Sequence, residues 1–123
     1  FLSGNSAVHQ FCRVGRLALL RGSSASSKDI PPFWVIQDVN RVCGVNVVGM
    51  RRAGVPTAEI QAVRRVFRSI YIEKTLIPMA LMRAEAEFGG LPAVRELIDF
   101  VRSSKRGVLG PAAFVSGAED AAA

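Results

Sequence analysis

Aliphatic and small side chains recur every six residues through the first part of the chain. The aliphatic positions are Leu2, Val8, Val14 and Leu20. The small positions are Ser6, Cys12, Ala18 and Ser24. A period of six fits neither an α-helix nor an isolated hairpin, but it is typical of a β-solenoid, whose flat faces each take about six residues. Residues 1–30 are therefore predicted to form coils of such a solenoid.

The segment that follows the repeat, residues 31–46, is predicted to be a connector. Small and polar residues end the repeat at 23–28, and Pro31 and Pro32 then extend the chain because proline fixes φ and lacks a backbone donor. The apolar run at 33–36 inside this connector indicates a strand or a packed extended segment.

Beyond the connector, apolar residues recur at spacings of three and four over 57–72 and again after residue 91, which predicts amphipathic helices. Glycine and proline stop signals bound two further helices. The predicted helices cover residues 47–52, 57–72, about 75–88 and about 91–103. Thr75 is a candidate N-cap for the third of these helices. Residues 47–108 are thus predicted to be an α-helical C-terminal domain that covers the open end of the solenoid. Residues 109–123, rich in glycine and alanine, are predicted to be a disordered tail.

Composition and charge narrow the range of partners. The 123 residues suffice for one modest domain, and the net charge of +6 favours acidic partners such as nucleotide phosphates, acidic proteins, nucleic acid or anionic membrane.

No apolar run is long enough to span a membrane and no signal peptide is visible, so a cytoplasmic location is expected. Cys12 and Cys43 are spaced unlike a metal motif, and free thiols are expected. The chain opens on Phe1 in the middle of a hexad, which indicates a piece of a longer protein.

Several motifs of the chain resemble one enzyme family. They are Val-His-Gln-Phe-Cys at 8–12, Asp-Ile-Pro-Pro-Phe at 29–33, Gly-Val-Asn at 44–46, Gly-Met-Arg-Arg at 49–52 and the ending at 99–107. Together they resemble the C-terminal portion of the acyl-[acyl-carrier-protein]–UDP-N-acetylglucosamine O-acyltransferases, over about residues 1–108.

The resemblance implies a fold, a reaction and an assembly. The fold would be a left-handed parallel β-helix of hexapeptide repeats followed by a small α-helical subdomain, assembled as a homotrimer. The reaction would be transfer of a 3-hydroxyacyl chain from acyl carrier protein to the 3-hydroxyl of UDP-N-acetylglucosamine, the first step of lipid A synthesis, without a metal or other cofactor. The family's general base is a histidine in a coil before residue 8, so no catalytic residue is expected in this sequence and the isolated chain is expected to be inactive.

The resemblance also assigns roles to individual residues. His9, Gln10, Asn46 and Arg52 would bind the nucleotide sugar. His9 is the only side chain that changes charge near neutral pH, and the guanidinium of Arg52 suits a diphosphate held beside the N–H groups of a helix start. The alternatives are an interface histidine at His9 and, at positions 51 and 52, a solvated pair of arginines. Gly22 matches a position that limits acyl-chain length, and glycine there would leave the groove open for a longer chain.

A basic helix face is a further candidate site. Arg64, Arg65 and Arg68 lie opposite the apolar stripe of the predicted helix 57–72, and acyl carrier proteins are strongly acidic. We therefore hypothesise that this face docks the carrier, with binding that weakens as salt increases.

The sequence departs from the family at two positions near the arginine pair, which leaves other functions open. Ala53 stands where the family often has a second arginine, and Val48 stands where it often has an acid. The sugar could therefore be a 3-amino analogue, or the protein a related hexapeptide-repeat acyltransferase acting on another nucleotide sugar. The other alternative is a non-catalytic basic domain that binds nucleic acid or an acidic protein. The absence of an aromatic stacking platform argues against nucleic acid.

Overall fold

The computed structural model describes residues 7–8 and 12–114, which form a small sheet followed by four helices. The strands are β1 (Ala7–Val8), β2 (Leu19–Ser26), β3 (Trp34–Val39) and β4 (Val42–Val45). The helices are α1 (Val47–Arg52), α2 (Thr57–Tyr71), α3 (Ile77–Phe88) and α4 (Pro92–Ser103). A short 3₁₀ turn follows at Pro111–Ala113.

The first three strands run parallel, in the order β1-β2-β3-β4. Ala7 pairs with Ala25 of the next strand, and Leu19 pairs with Val35 of the strand after that. Parallel neighbours are usually joined by a crossover helix, but no helix lies between these strands in the described residues. Ala7 and Ala25, and likewise Leu19 and Val35, are therefore brought side by side without an intervening helix.

The prediction of a connector over residues 31–46 is wrong for most of this segment, which holds β3 and β4. The strand suggested by the apolar run at 33–36 is confirmed as part of β3, whereas β4 was not expected. The two strands pair antiparallel, Trp34 with Val45 and Val35 with Gly44. All four residues of β4 are buried, so the strand lacks the alternation of apolar and polar positions that marks a half-exposed strand.

The predicted helix bounds are confirmed to within a residue or two, while the predicted cap of α3 is wrong. Thr75 lies outside the helix, and Leu76 occupies the N-cap position without a side-chain hydrogen bond. Pro78 stands in the first turn of α3, where a missing N–H removes a donor that would lack a helical partner. The first turn of α3 therefore has one N–H group fewer that needs a capping partner.

An aromatic cluster at the centre of the core joins the sheet to the helices. The rings of Trp34 and Phe67 meet edge to face with centroids 5.2 Å apart, and Tyr71 is 4.8 Å from Phe67. The Trp34 Nε1–H donates to the Tyr71 hydroxyl (3.2 Å), which in turn donates to the carbonyl of Leu109 (2.8 Å). Burial raises the pKa of the Tyr71 hydroxyl above its ordinary value of 10.0.

The prediction of a disordered tail from residue 109 is wrong for residues 109–114. Leu109 is buried, and Phe114 packs on Phe67 with ring centroids 6.0 Å apart. Lys74 donates to the carbonyl of Pro111 (2.9 Å), which ties the 3₁₀ turn to the end of α2. The rest of the predicted tail, residues 115–123, lies outside the described part of the chain.

A buried carboxylate fastens the end of α4 to the sheet side of the molecule. Asp29 is 2% exposed, and its two oxygens accept hydrogen bonds from the Arg13 backbone N–H (2.8 Å) and the Ser104 hydroxyl (2.6 Å). The Asp29 N–H donates to the carbonyl of Gly107 (3.0 Å). The helical segment is therefore held against the sheet at its end as well as at its start.

Candidate functional site

Two residues at the junction between the sheet and α1 have a left-handed backbone conformation. Leu17 has φ of 60° and Phe33 has φ of 73°. Leu17 lies just before β2, and Phe33 lies just before β3. As many residues separate Leu17 from Phe33 as separate Leu19 from its partner Val35. A left-handed conformation costs a side-chain-bearing residue about 1–2 kcal/mol, so surrounding contacts must hold these two in place.

Asn46 supplies those contacts. Its backbone N–H donates to the carbonyl of Phe33 (2.7 Å), and its Nδ2 donates to the carbonyl of Leu17 (2.9 Å). Its Oδ1 accepts from the Gly49 N–H (3.0 Å), which makes Asn46 the N-cap of α1. One side chain thus closes the left-handed corner and starts the helix.

Gly49 makes room for this arrangement. A Cβ at this position would lie 2.3 Å from Asn46 Nδ2 and 2.9 Å from its Oδ1, closer than non-bonded atoms approach. The side chain of Asn46 can therefore bend back onto the helix only because residue 49 has no Cβ. Sequence reasoning singled out Asn46 and Arg52 at this motif but missed Gly49 and the strained Leu17.

The two arginines of the motif lie in the last turn of α1. Arg51 and Arg52 are both exposed, and neither side chain forms a hydrogen bond or ion pair within the described residues. The expectation that Arg52 would lie beside the start of this helix is wrong, because Asn46 is at the N-terminal end and Arg52 at the C-terminal end. A rise of 1.5 Å per residue separates their backbones by about 9 Å along the axis.

The other predicted site residues are distributed as follows. His9 and Gln10 lie outside the described residues. Gly22 lies in β2, within the stretch between Arg21 and Ala25 where the pairing with β3 shifts register. None of the described contacts tests the role of Gly22 in setting acyl-chain length.

The basic face of α2 is partly neutralised. Arg65 forms an ion pair with Glu73 (2.6 Å), and this hydrogen bond raises the pKa of the Arg65 guanidinium. Arg68 is exposed and Arg64 is half-buried on the same helix. Of the three predicted docking residues, Arg65 therefore has its charge balanced by a neighbour from its own chain.

Two kinds of structural feature are not found within residues 7–8 and 12–114. No group of three or more potential ligands among His, Cys, Asp and Glu comes together there. No helix in the described part of the chain is long and apolar enough to cross a membrane. Cys12 and Cys43 are both free thiols.

With this geometry in place, comparison with known proteins identifies the family. The family described as "Udp N-acetylglucosamine O-acyltransferase; Domain 2" matches residues 29–109. The chain belongs to this family. The match includes Asn46, Arg52 and the basic face of α2, whereas His9, Gln10 and Gly22 precede it.

Individual family members agree with this assignment. The acyl-[acyl-carrier-protein]–UDP-N-acetylglucosamine O-acyltransferase of Myxococcus xanthus is 37% identical over 108 residues, which are 87% of this chain and 42% of the relative. The enzyme of the same name from Burkholderia mallei is 40% identical over 115 residues, covering 88% of this chain and 43% of the relative. The chain therefore spans about two-fifths of the length of these relatives.

Solved structures of the family share the fold. The UDP-N-acetylglucosamine acyltransferase of Bacteroides fragilis superposes with a TM-score of 0.78 at 35% identity, covering 87% of this chain and 42% of that one. The Arabidopsis UDP-N-acetylglucosamine acyltransferase gives a TM-score of 0.78 at 29% identity, covering 88% and 41% respectively.

Proposed function

We propose that this chain is the C-terminal part of an acyl-[acyl-carrier-protein]–UDP-N-acetylglucosamine O-acyltransferase. The whole protein would move a 3-hydroxyacyl chain from acyl carrier protein to the 3-hydroxyl of UDP-N-acetylglucosamine, in the cytoplasm, as the first step of lipid A synthesis. The observation that carries the proposal is the family match over residues 29–109. It is supported by relatives that bear this enzyme's name and align with 87% of the chain.

The same proposal extends to the architecture of the whole protein. Residues 1–30 would end a left-handed parallel β-helix, whose coils each comprise about three hexads. The parallel registers support this, because the pairs Ala7 with Ala25 and Leu19 with Val35 each join positions about three hexads apart. Val14, an aliphatic position of the hexad pattern, is 39% exposed and would be covered by a preceding coil. Such a β-helix would assemble as a homotrimer.

In this proposal, the nucleotide sugar lies near the junction of sheet and helices. Arg52 would bind the diphosphate, because its exposed guanidinium has no partner within the described chain and can offer two parallel donors. His9 and Gln10 would contribute from the β-helix, and Asn46 would belong to the same site through α1. Gly22 would leave space for a long acyl chain.

The reaction would use a histidine from a coil that precedes this segment. That histidine would take the proton from the sugar hydroxyl as the oxygen attacks the thioester carbonyl, and the carrier's thiol would leave. The residues of this chain would bind and orient the nucleotide sugar. The acyl transfer exchanges no electrons with an external partner, so it needs no redox cofactor.

The carrier protein would dock on the basic face of α2. Arg64, Arg65 and Arg68 would attract its acidic surface, with Arg65 exchanging its Glu73 partner for the carrier. An ion pair between exposed side chains contributes little to stability, so this exchange costs little.

Steady-state kinetics of the full-length protein test the proposal. Arg52→Ala is expected to raise KM for UDP-N-acetylglucosamine about tenfold to a hundredfold, because charge-assisted hydrogen bonds contribute about 1.5–3 kcal/mol each. The matched control is Arg51→Ala, whose side chain projects about 100° away on the helix. Replacing the three arginines of α2 by alanine should raise KM for acyl carrier protein alone, and the effect should shrink as salt increases.

Turnover of a 3-amino sugar nucleotide in place of UDP-N-acetylglucosamine would reassign the substrate while keeping the reaction class. A full-length protein that transfers no acyl chain to either sugar would refute the proposed function.

A further inference from the structure

We propose that the exposed apolar side of α3 is a second contact surface for the acyl carrier protein, next to the basic face of α2. The inference rests on the proposed function, which supplies the carrier as a partner. It adds an apolar contact to a docking face that the sequence indicates by charge alone.

Three large apolar side chains are exposed along this side of α3. Leu76, Met79 and Met82 are 71%, 44% and 57% exposed. They follow one another at a spacing of three, which places them on neighbouring turns of one side of the helix, and we call them the α3 ridge. Single exposed apolar residues are common, whereas a contiguous row of them is typical of a surface that another molecule covers.

A groove opens along one side of the α3 ridge, where α3 packs against α4. It has a volume of about 390 Å³ and is lined by Ile77, Pro78, Leu81, Met82, Val101 and Arg102. Because most of this lining is apolar, an apolar side chain of a partner can enter the groove while the partner lies on the ridge.

A cleft between α3 and α2 joins the α3 ridge to the basic face of α2. Arg65 of α2 and Arg83 of α3 both line this cleft. Arg83 directly follows the ridge residue Met82, and it is exposed. Its side chain forms no hydrogen bond or ion pair within the described residues. A partner that covers Arg65 therefore meets Arg83 and then the ridge as it continues across the molecule.

Arginines thus lie on both sides of the α3 ridge. Arg83 lies on the side of α2, and Arg102 lies at the groove on the side of α4, where it donates to Glu85 (3.0 Å). An apolar strip between cations is complementary to an amphipathic helix whose apolar face is flanked by acidic residues. Methionine suits such a contact, because its flexible thioether adapts to the surface of the partner.

The carrier fits this surface better than a lipid bilayer or a second copy of the chain does. Glu85 and Glu87 are exposed on the same helix, and a flat anionic bilayer would meet them together with the ridge. An acidic helix can instead align its carboxylates with the arginines and avoid the two glutamates. Three side chains offer far less than the roughly 800 Å² per partner that a stable dimer buries, whereas a carrier that dissociates after each turnover needs only a small contact.

Substituting the two methionines of the ridge tests this contact in the full-length protein. Met79→Gln/Met82→Gln keeps the length and helix propensity of both side chains but makes them polar. The dissociation constant of holo-acyl carrier protein without an acyl chain should rise about fivefold to tenfold, because less apolar area is removed from water on binding. This factor should be the same at low and high salt, whereas the effect of replacing Arg64, Arg65 and Arg68 shrinks as salt increases.

The matched control is Met79→Leu/Met82→Leu, which keeps the ridge apolar and should bind the carrier within about twofold of wild type. Neither pair of substitutions should change the melting temperature, because both side chains already meet water. The dissociation constant of the UDP-sugar should also stay the same, since α3 contributes no residue to the proposed nucleotide site. Carriers with and without an acyl chain should show the same fold-change, because the ridge contacts the carrier protein itself.

Unchanged carrier affinity of the glutamine variant, or a loss that disappears at high salt, would overturn the α3 ridge as an apolar carrier contact. A loss confined to the acylated carrier would overturn it as well, because the ridge would then contact the acyl chain. So would a glutamine variant that keeps its carrier affinity but loses binding to phosphatidylglycerol vesicles or self-association in sedimentation. A wild-type protein that binds no acyl carrier protein would instead refute the proposed function itself.

Discussion

At the scale of single residues, the junction shows how backbone strain is compensated locally. Leu17 and Phe33 adopt left-handed conformations that their side chains disfavour, and hydrogen bonds from Asn46 hold the carbonyls of both. The residue types at 17 and 33 would not by themselves suggest a corner. The conformations follow from the contacts that the folded chain supplies.

Gly49→Ala tests this compensation. The added Cβ would displace the Asn46 side chain, with loss of the α1 cap and of the Leu17 contact. The free energy of unfolding should fall by about 1–2 kcal/mol, the usual cost of losing an N-cap. Urea denaturation of the full-length protein measures the change. The control is Gly90→Ala, where no atom lies within 4 Å of the added Cβ. Equal stabilities of the two variants would show that Gly49 is not needed.

At the scale of secondary-structure elements, Tyr71 connects three parts of the chain. It lies on α2, accepts from Trp34 of β3 and donates to Leu109 in the C-terminal segment. By contrast, α3 and α4 are joined at the surface, where Glu85 pairs with Arg95 (2.9 Å) and Arg102 (3.0 Å). These hydrogen bonds lower the pKa of Glu85, but the groups are exposed, so the buried contact of Tyr71 matters more for stability.

Tyr71→Phe should lower the free energy of unfolding by about 1–3 kcal/mol, because the Trp34 N–H loses its acceptor and the Leu109 carbonyl loses its donor.

The pKa of Tyr71 in the folded state lies above its ordinary value of 10.0. Its contribution to stability is therefore complete below about pH 10 and is lost as the pH rises through the folded pKa. Denaturation curves from pH 7 to 11 should show a steeper alkaline loss for wild type than for Tyr71→Phe. Parallel curves would contradict the raised pKa.

At the scale of the whole molecule, the large apolar residues that are exposed in the described part of the chain fall in three places. Val14 (39% exposed) lies on the sheet side, and Ile72 (36%) lies at the C-cap of α2. Leu76 (71%), Met79 (44%) and Met82 (57%) lie at the start of α3 and along it. Under the proposed architecture, a preceding coil of the β-helix would bury Val14. Leu76 is already largely exposed at the helix N-cap.

A pair of charge substitutions in the full-length protein tests that architecture. Val14→Asp should abolish the soluble trimer, because an unpaired charge inside the stacked coils costs several kcal/mol. Leu76→Asp should leave the trimer intact, since its side chain already meets water. Sedimentation velocity measures both. A monomeric wild type, or a Val14→Asp variant that still sediments as a trimer, would refute the β-helix trimer.

Local patterns in the sequence were enough to predict the helices and the first strands. The spacing of apolar residues located α2 and α4, and stop and cap signals located α1 and α3. The hexads of residues 1–30 include β1 and β2, which pair in parallel. Features that depend on contacts between residues distant in sequence became visible only in the folded chain. β4 was missed because both of its faces are covered, and residues 109–114 are ordered because Tyr71 and Phe67 bind a segment whose own composition favours disorder. The contacts of Asn46 belong to the same class, because its partner Leu17 lies 29 residues away, a distance at which no local pattern carries information.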